Sequence, residues 1–214
     1  MSQLQIAIVP VTPFAQNCTF VWAEGSKKCT IIDPGGDVEK LLSVIKQEGF
    51  TVERILITHG HIDHVGGAED LRKSLGVQVE GPHEADRMLM DRVKEQAIQF
   101  GVPGAKPVVP DRWLKDGDQV QIAGRNFDVI HCPGHAPGHV VFYNAEAKFI
   151  IMGDVLFQGS IGRTDLPGGE HATLLASIKN NIIPLGDDVN FVCGHGEGSS
   201  IGHERLNNPF LKEL

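Results

Sequence analysis

Four potential metal ligands lie within the run Thr-His-Gly-His-Ile-Asp-His at positions 58–64. They are His59, His61, Asp63 and His64. Imidazoles and a carboxylate are costly to bury together unless each has a polar partner, and a divalent metal is the usual partner. The alternative is that Asp63 only caps the next helix and one histidine is an ordinary surface residue. A cap accounts for one of the four side chains, so the run predicts a metal site.

The residues around this run predict where its ligands lie. Residues 54–58 form a short apolar run with β-strand character, so the ligands would stand on a loop at a strand end. Gly60 allows that loop to bend between two histidines. Asp63 and His64 would then begin a helix over about 64–75.

Three further predicted strands each end in a glycine beside a potential ligand. They are the strand at 127–131 with His135, that at 149–152 with Asp154, and that at 190–193 with His195. Loops at strand ends are where a rigid sheet presents functional groups. If these loops converged with the run at 58–64, they would supply three histidines to one metal. A second metal would receive an aspartate and two histidines, with a carboxylate bridging the two ions. Zinc or iron suits such a nitrogen and oxygen set.

The composition is that of an ordinary globular chain. A chain of 214 residues with 41% hydrophobic and 21% charged residues can bury an ample core. No apolar stretch approaches the ~20 residues of a membrane span. The first residues lack a basic region followed by an apolar core, so we expect no secretory signal and a cytoplasmic location.

The charge pattern bears on the partners. The net charge is −8, with 27 acidic against 19 basic residues and no basic run, which weighs against a nucleic-acid substrate. An anionic small molecule stays possible, because a two-metal site is itself positive. We expect a small-molecule substrate, no nucleic-acid or membrane partner, and a monomer or homodimer.

The four cysteines are predicted to be free, buried thiols, because Cys18, Cys29, Cys132 and Cys193 show no paired spacing. Cys132 and Cys193 each lie within three residues of a histidine that is a candidate ligand, so a thiolate ligand is the alternative. The histidines already complete the ligand set, which favours the free thiols.

Strands in this chain cluster in meanders with helices between them. Hydrophobic patterning and turn residues predict strands at 5–9, 19–23, 30–32, 54–58, 77–80, 119–122, 127–131, 140–143, 149–152 and 190–193. They predict helices at 38–49, 64–75, 83–100 and 172–183, with a Pro-rich connection at 102–110. In the helix at 83–100, Met88, Leu89, Val93 and Ile98 are expected to face the core. The pattern favours sheet packed on sheet with helices outside.

The ligand motifs together resemble one known family. In order, Thr-His-Gly-His-Ile-Asp-His, Cys-Pro-Gly-His135, Gly-Asp154 and Gly-His195 resemble the metallo-β-lactamase superfamily over essentially the whole chain. The resemblance implies an α/β fold, the αββα sandwich of two similar halves, with the metals at one edge between the sheets. It implies that His59, His61 and His135 hold the first metal, that Asp63, His64 and His195 hold the second, and that Asp154 bridges them.

Within the superfamily the chain is most similar to a short form of glyoxalase II, the hydroxyacylglutathione hydrolases. Pro-Gly-His135-Ala-Pro-Gly-His139 resembles their PGHTxGH segment, and Gly-Asp154-Val-Leu-Phe157 resembles their GDxLF. Longer members hold glutathione with a C-terminal helical domain and with a Lys and a Tyr after GDxLF. Residues 158–165 contain neither, and we expect 1–214 to be a single domain without that extension.

The resemblance implies a metal-dependent thioester hydrolase active in methylglyoxal detoxification. It would cleave S-(2-hydroxyacyl)glutathione, such as S-lactoylglutathione, to a hydroxy acid (lactate) and glutathione. Two divalent ions per chain are expected, zinc by preference and iron or manganese as alternatives. They would lower the pKa of a bridging water from ~15.7 towards neutrality, and the resulting hydroxide would attack the carbonyl. Asp63 and Asp154 are the predicted catalytic carboxylates.

Other activities of the superfamily stay open as alternatives. A persulfide dioxygenase with a single iron shares the ligand run and the Gly-Arg-Thr-Asp stretch at 162–165, but would carry a cysteine where His139 stands. A hydrolase of a lactone, a β-lactam or another ester is a second alternative. A non-catalytic diiron electron carrier is a third, although that class tends to replace a histidine of the run with a carboxylate and His61 is retained.

Three further residues have predicted roles beside the ligands. Arg163 is a candidate anchor for a substrate carboxylate, because its planar fork suits one; an ion pair with Asp165 is the alternative. His139 is expected to orient the site through a hydrogen bond, or to be a satisfied core histidine. Asp33 is predicted to be a turn residue that orients a ligand.

Overall fold

Six strands of the N-terminal half form one mixed sheet. The structure, a computed structural model, describes residues 3–212. The sheet has the order β1 to β6, antiparallel over its first three strands and parallel from β3 onwards. Its strands are β1 Leu4–Val11, β2 Gln16–Ala23, β3 Lys28–Ile32, β4 Thr51–Leu56, β5 Gln78–His83 and β6 Arg112–Leu114.

A second mixed sheet of six strands follows, in the order β14-β13-β10-β9-β8-β7. All its pairs are antiparallel except β10 with β13. Its strands are β7 Gln119–Ile122, β8 Arg125–His131, β9 Val140–Asn144, β10 Phe149–Ile151, β13 Asn190–Val192 and β14 Ser199–Ser200. A short hairpin of β11 Leu156–Phe157 and β12 Ser160–Ile161 stands apart from both sheets.

The two sheets pack face to face through one continuous apolar layer. Ile32 and Leu56 of the first sheet contact the cluster that includes Phe127, Phe142 and Ile151 of the second. Side chains alternate between the faces of a strand, so the residues next to these in sequence point outwards. Burial of the inner faces holds the sandwich together.

Helices cover both outer faces of the sandwich. On the first sheet, Phe20 and Ile31 pack against Leu41 and Leu71 from two helices. On the second sheet, Ile150 packs in a cluster with residues of the C-terminal helices. The layers are therefore helix, sheet, sheet, helix, as the sequence predicts. The helices are α1 Val38–Glu48, α2 Ile62–Val65, α3 Ala68–Leu75, α4 Arg87–Asp91, α5 Val93–Phe100, α6 His171–Ser177 and α7 Ile201–Asn207.

The helix predicted at 64–75 is two helices, because Gly66 and Gly67 interrupt it. A Cβ at Gly66 would lie 2.7 Å from the carbonyl oxygen of Gly35, and one at Gly67 would lie 2.7 Å from that of Pro34. The two glycines thus let the turn at 34–35 approach α2 and α3. His61 occupies the N-cap position of α2, and Asp63 lies inside it. The alternative of Asp63 as a helix cap is therefore wrong.

The helix predicted at 83–100 is also divided. A 3₁₀ turn over Glu84–Asp86 precedes α4, and Arg92 separates α4 from α5. Gly101 ends α5 with a left-handed φ of 66°. Because the helix is interrupted at Arg92, the residues of α4 and α5 that face the core differ from those of one continuous helix. Leu89 and Val93 are buried as predicted, but Met88 is 50% and Ile98 is 87% exposed.

The sequence patterns missed several short elements. Strands β6, β11, β12 and β14 have two or three residues each, too short for an alternation pattern. Helix α7 was also missed, while the helix predicted at 172–183 continues beyond α6 through a π turn over Ile178–Ile182. No helix among residues 3–212 combines the length and apolar character that a membrane crossing requires.

The prediction for the four cysteines is confirmed, since all are buried free thiols. Burial raises the pKa of Cys132 and of Cys193 to about 12. The Cys193 thiol donates to the carbonyl oxygens of His195 and Glu197. These contacts engage the Cys193 thiol with backbone carbonyls, which disfavours the thiolate-ligand alternative for this residue.

Candidate metal centre

Four loops that follow strands meet at one edge of the sandwich. The loop after β4 carries the run at 58–64, and the loops after β8, β10 and β13 carry His135, Asp154 and His195. All four loops contribute atoms within hydrogen-bond or ion-pair distance of another loop. The structure therefore brings together the seven side chains that the resemblance implied as ligands.

The first triad consists of His59, His61 and His135. The Nε2 of His135 lies 3.0 Å from Nδ1 of His61 and 3.2 Å from Nε2 of His59. Two ligands of a tetrahedral zinc ion bound at about 2.1 Å lie about 3.4 Å apart. The spacing of the three nitrogens fits one such ion.

The second triad consists of Asp63, His64 and His195, whose potential ligand atoms lie within 4.8 Å of one another. Asp154 lies between the two triads. Its Oδ2 is 3.5 Å from Nε2 of His135 and 3.5 Å from Nε2 of His195. Its Oδ1 is 3.4 Å from Nε2 of His64. One carboxylate thus reaches both triads, which is the placement a bridging ligand requires.

Asp33 and Thr58 fix the orientation of two of these histidines. Asp33 Oδ1 accepts the Thr58 amide at 2.7 Å, and Oδ2 accepts the Thr58 hydroxyl at 2.6 Å and Nδ1 of His64 at 2.9 Å. Because the hydroxyl proton goes to Asp33, the Thr58 oxygen can accept Nδ1–H of His59 at 3.0 Å. Both imidazoles then turn Nε2 towards the cluster and leave that nitrogen to bind metal. A third group of potential ligands is formed by Asp33, His59 and His64, whose atoms also lie close together. The Asp33 oxygens in this group already accept hydrogen bonds from Thr58 and His64.

Two backbone carbonyls orient His135 and His195, while His61 turns its Nδ1 towards His135. The Nδ1 of His135 donates to the carbonyl of Arg163 at 2.7 Å, and that of His195 donates to the carbonyl of Phe14 at 3.3 Å. Each contact leaves Nε2 for the cluster. The backbone at Arg163 is therefore part of the site whatever its guanidinium does.

His139 lies beneath the cluster and contacts Asp154 through the backbone. Its Nε2 accepts the Asp154 amide at 2.9 Å, and its ring stacks on that of His59 with centroids 4.7 Å apart. Gly153 leaves room for this arrangement, since a Cβ there would lie 2.7 Å from the His139 ring. These contacts support the orienting role predicted for His139.

The cluster has buried polar atoms without partners, neutral imidazoles in the first triad and an ionised Asp154, as expected of a metal site. His64 Nε2 and Asp154 Oδ1 are buried without a hydrogen-bond partner. Burial and the neighbouring imidazoles lower the pKa of His59, and burial lowers that of His61 to about 3, so both are neutral donors. Although burial opposes ionisation, the imidazoles of His64, His135 and His195 lower the pKa of Asp154. The donor set therefore fits divalent cations.

Sequence patterns did not indicate every residue that shapes this site. Thr58 stood inside the ligand run without an assigned role, and its role depends on Asp33 lying opposite. The carbonyl of Arg163 has no signature, because any residue supplies a carbonyl. Asp86 accepts hydrogen bonds from backbone amides of two of the ligand loops. An isolated aspartate after a strand does not indicate such contacts in the sequence.

A cleft of about 390 Å³ opens over the cluster, with candidate ligands from both triads at its floor. Phe14 from the β1–β2 turn and Phe100 from α5 meet edge to face beside it, with ring centroids 6.4 Å apart. Phe157 and Ile161 from the short hairpin line the other side. Apart from the candidate ligands, the walls of this cleft are largely apolar.

Arg163 lines this cleft, and its guanidinium is engaged by a neighbour. Nε donates to Asp165 Oδ1 at 2.7 Å and Nη2 donates to Oδ2 at 2.6 Å. Both side chains are largely exposed. The ion pair predicted as the alternative is thus present, and a substrate carboxylate would have to compete with Asp165 for this arginine.

The profile described as the metallo-beta-lactamase superfamily matches residues 11–195. The chain belongs to this superfamily. Hydroxyacylglutathione hydrolase GloC of Haemophilus influenzae is 44% identical to it over 209 residues, which cover 97% of this chain and 98% of that protein. With the superfamily match, this similarity identifies the protein as a metallo-hydrolase.

Two solved structures support the same relationship. The BLEG-1 B3 metallo-beta-lactamase superposes with a TM-score of 0.88 at 37% identity, covering 97% of this chain and 99% of that one. TTHA1623 in a di-iron-bound form superposes with a TM-score of 0.86 at 38% identity, covering 96% and 100%. The fold and the two His/Asp clusters together indicate divalent metals in this protein.

Proposed function

We propose that this protein is a thioester hydrolase of the glyoxalase II type. Its substrate would be S-(2-hydroxyacyl)glutathione, with S-lactoylglutathione as the representative compound and lactate and glutathione as products. The observation that carries the proposal is the pair of triads sharing Asp154 at the floor of a cleft. The full-length similarity to GloC supports the choice of substrate.

The ligand assignments belong to the same proposal. His59, His61 and His135 would hold one divalent ion, Asp63, His64 and His195 a second, with Asp154 shared. Zinc is our preferred metal, and the di-iron form of TTHA1623 makes iron the main alternative. When bound, the two ions supply an acidified water molecule as nucleophile and a Lewis acid for the carbonyl oxygen.

The residues of the chain position this chemistry. Asp154, in reach of both triads, would set the distance between them. Asp63 is the more exposed of the two carboxylates, at 16% against 9% of the side chain, and it faces the cleft. As an ionised carboxylate with two acceptor oxygens, it can accept a hydrogen bond from the attacking water and orient it. The water oxygen becomes a carboxylate oxygen of the hydroxy acid as the acyl carbon–sulfur bond breaks.

The polar lining of the cleft favours a thiolate leaving group. Apart from the candidate ligands, the polar side chains there are Gln96, Ser160 and Arg163, and none is a general acid near neutral pH. A thiol has a pKa of about 8.5, so a thiolate departs without a dedicated proton donor. An amine or an alkoxide would need one.

β-Lactam hydrolysis is the second candidate, because BLEG-1 is named a B3 metallo-beta-lactamase and matches nearly the whole chain. Persulfide oxidation on a single iron is the third candidate, because the Gly-Arg-Thr-Asp stretch at 162–165 resembles that of persulfide dioxygenases. A side-by-side assay separates the three. Purified protein of measured metal content is given S-lactoylglutathione, a chromogenic cephalosporin and glutathione persulfide. We expect thioester turnover to dominate; oxygen consumption with persulfide, or cephalosporin turnover that exceeds it, would reject the proposal.

Arg163 provides a prediction about substrate binding. Replacing Arg163 with Ala should raise KM for S-lactoylglutathione about tenfold, as expected for a lost hydrogen bond to a charged group, with a smaller change in kcat. Arg205 is a matched control, because it is partly exposed and makes the same two-pronged ion pair, with Asp187. Arg205→Ala should leave the kinetics unchanged. If Arg163→Ala does so too, Arg163 does not bind the substrate, and its only role is the ion pair with Asp165.

A further inference from the structure

Asp86 is a buried carboxylate that lies between the two loops carrying the first triad. It ends the 3₁₀ turn after β5, and its side chain is fully buried. Oδ2 accepts the backbone amide of Gly60 at 2.8 Å, and Oδ1 accepts that of Gly138. Its two acceptor atoms therefore join two different loops.

The two amides that donate to Asp86 lie in loops that carry candidate metal ligands. Gly60 stands between His59 and His61 in the sequence, and Gly138 stands between His135 and His139. Asp86 thus sets the distance between the two loops that supply all three histidines of the first triad. We propose that Asp86 is a positioning residue for the metal held by His59, His61 and His135. This inference rests on the ligand assignment proposed above.

The local packing makes this connection tight. A Cβ at Gly138 would lie 2.5 Å from the Asp86 nitrogen, and one at Gly60 would lie 3.3 Å from the Asp86 Cβ. The amide of His83 also donates to the Gly138 carbonyl at 3.0 Å, so the segment around Asp86 engages both backbone polar groups of Gly138. The loops cannot shift relative to each other without breaking a buried hydrogen bond, which is costly.

The protonation of Asp86 agrees with this environment. Burial raises its pKa to about 7, and the two amides oppose that shift. Keeping a carboxylate at a site so costly for its charge suggests that both acceptor oxygens are needed. A serine or an asparagine has a single side-chain oxygen, whereas the two amides bond to two different oxygens of Asp86.

The test is metal affinity in Asp86→Asn. Asparagine has nearly the same volume, but its NH₂ group would face one of the two amide donors. Loss of a partner that orients metal ligands typically lowers affinity about 10–100-fold, and we expect a loss in that range for Zn²⁺ in competition with a chelating dye. With Co²⁺ as probe, the visible absorption should change, because it reports the ligand geometry. Asp86→Glu, which keeps two acceptor oxygens, should recover part of the affinity.

Glu204→Gln is the matched control. Glu204 is also fully buried and accepts from the Gly159 amide, from Ser199 and from Asn208, none of which lies in the two loops that carry the first triad. Its replacement should lower the melting temperature and leave Zn²⁺ affinity and the Co²⁺ spectrum unchanged. Wild-type affinity and spectrum in folded Asp86→Asn would overturn the inference. If Asp86→Asn fails to fold, Asp86→Ser, which has a single side-chain oxygen, replaces it, and wild-type affinity and spectrum in folded Asp86→Ser would overturn the inference equally.

His61→Ala in the same titration distinguishes a wrong ligand assignment from a wrong role for Asp86. If His61→Ala also binds Zn²⁺ as the wild type does, the ligand assignment fails and the inference fails with it. If His61→Ala loses metal while Asp86→Asn does not, only the role of Asp86 is rejected.

Discussion

Replacing Asp154 with Asn is expected to leave fewer than two metal ions per chain and to lower kcat/KM for S-lactoylglutathione more than about 100-fold. Loss of a residue that merely orients a metal ligand costs about 10–100-fold, and a shared ligand should cost more. The physical reason is the position of Oδ2, 3.5 Å from His135 Nε2 and from His195 Nε2. An amide in that place offers a weaker, neutral donor to both ions.

Metal content by elemental analysis and steady-state kinetics on the same sample check this expectation. Asp188→Asn is the control, because Asp188 is an exposed carboxylate paired with Lys148 at the surface. It should retain wild-type metal content and turnover. An Asp154→Asn protein with two ions and full thioesterase activity would show that Asp154 does not bridge the triads.

Gly194→Ala is expected to lower Zn²⁺ affinity, although it removes no ligand. A Cβ at position 194 would lie 2.0 Å from Asp154 Oδ1 and 2.6 Å from His64 Cε1. The backbone at Gly194 has no left-handed φ, so the clash alone opposes the alanine. Asp154 and His64 would both have to move, and we expect Zn²⁺ affinity to fall at least about tenfold.

Gly196→Ala in the same loop is the control for backbone strain. Gly196 has a φ of 72°, and a Cβ there would meet nothing within 4 Å. Its replacement should cost about 1–2 kcal/mol of folding stability from the left-handed conformation while Zn²⁺ affinity is retained. Equal metal affinity in the two variants would show that the space at Gly194 is not needed by the metal site.

The run at 58–64 could be interpreted from sequence because its ligands are adjacent in the chain and are too polar to bury alone. His135, Asp154 and His195 could be added because each follows an apolar run and a glycine, and strand ends converge at a sheet edge. The structure places all of them together. Asp86 and Thr58 could not be found in this way, since their partners are backbone amides and a distant carboxylate that only the folded chain brings near.

The fold was predictable to a similar depth. Long alternating runs such as β8 and amphipathic helices such as α1 were found near their true bounds. The division of the helix at 64–75 was not found, because it depends on the close approach of the turn at 34–35 to Gly66 and Gly67. The exposed positions of Met88 and Ile98 likewise follow from a break at Arg92 that no local pattern marks.

The most direct test of the two-metal thioesterase is a titration of the metal-free protein with Zn²⁺. Hydrolysis of S-lactoylglutathione is followed after each addition, and bound metal is measured in parallel. The two triads with a shared Asp154 predict that turnover rises until two equivalents are bound and then levels off. Maximal turnover at one equivalent, or no turnover of the thioester at two, would contradict the account.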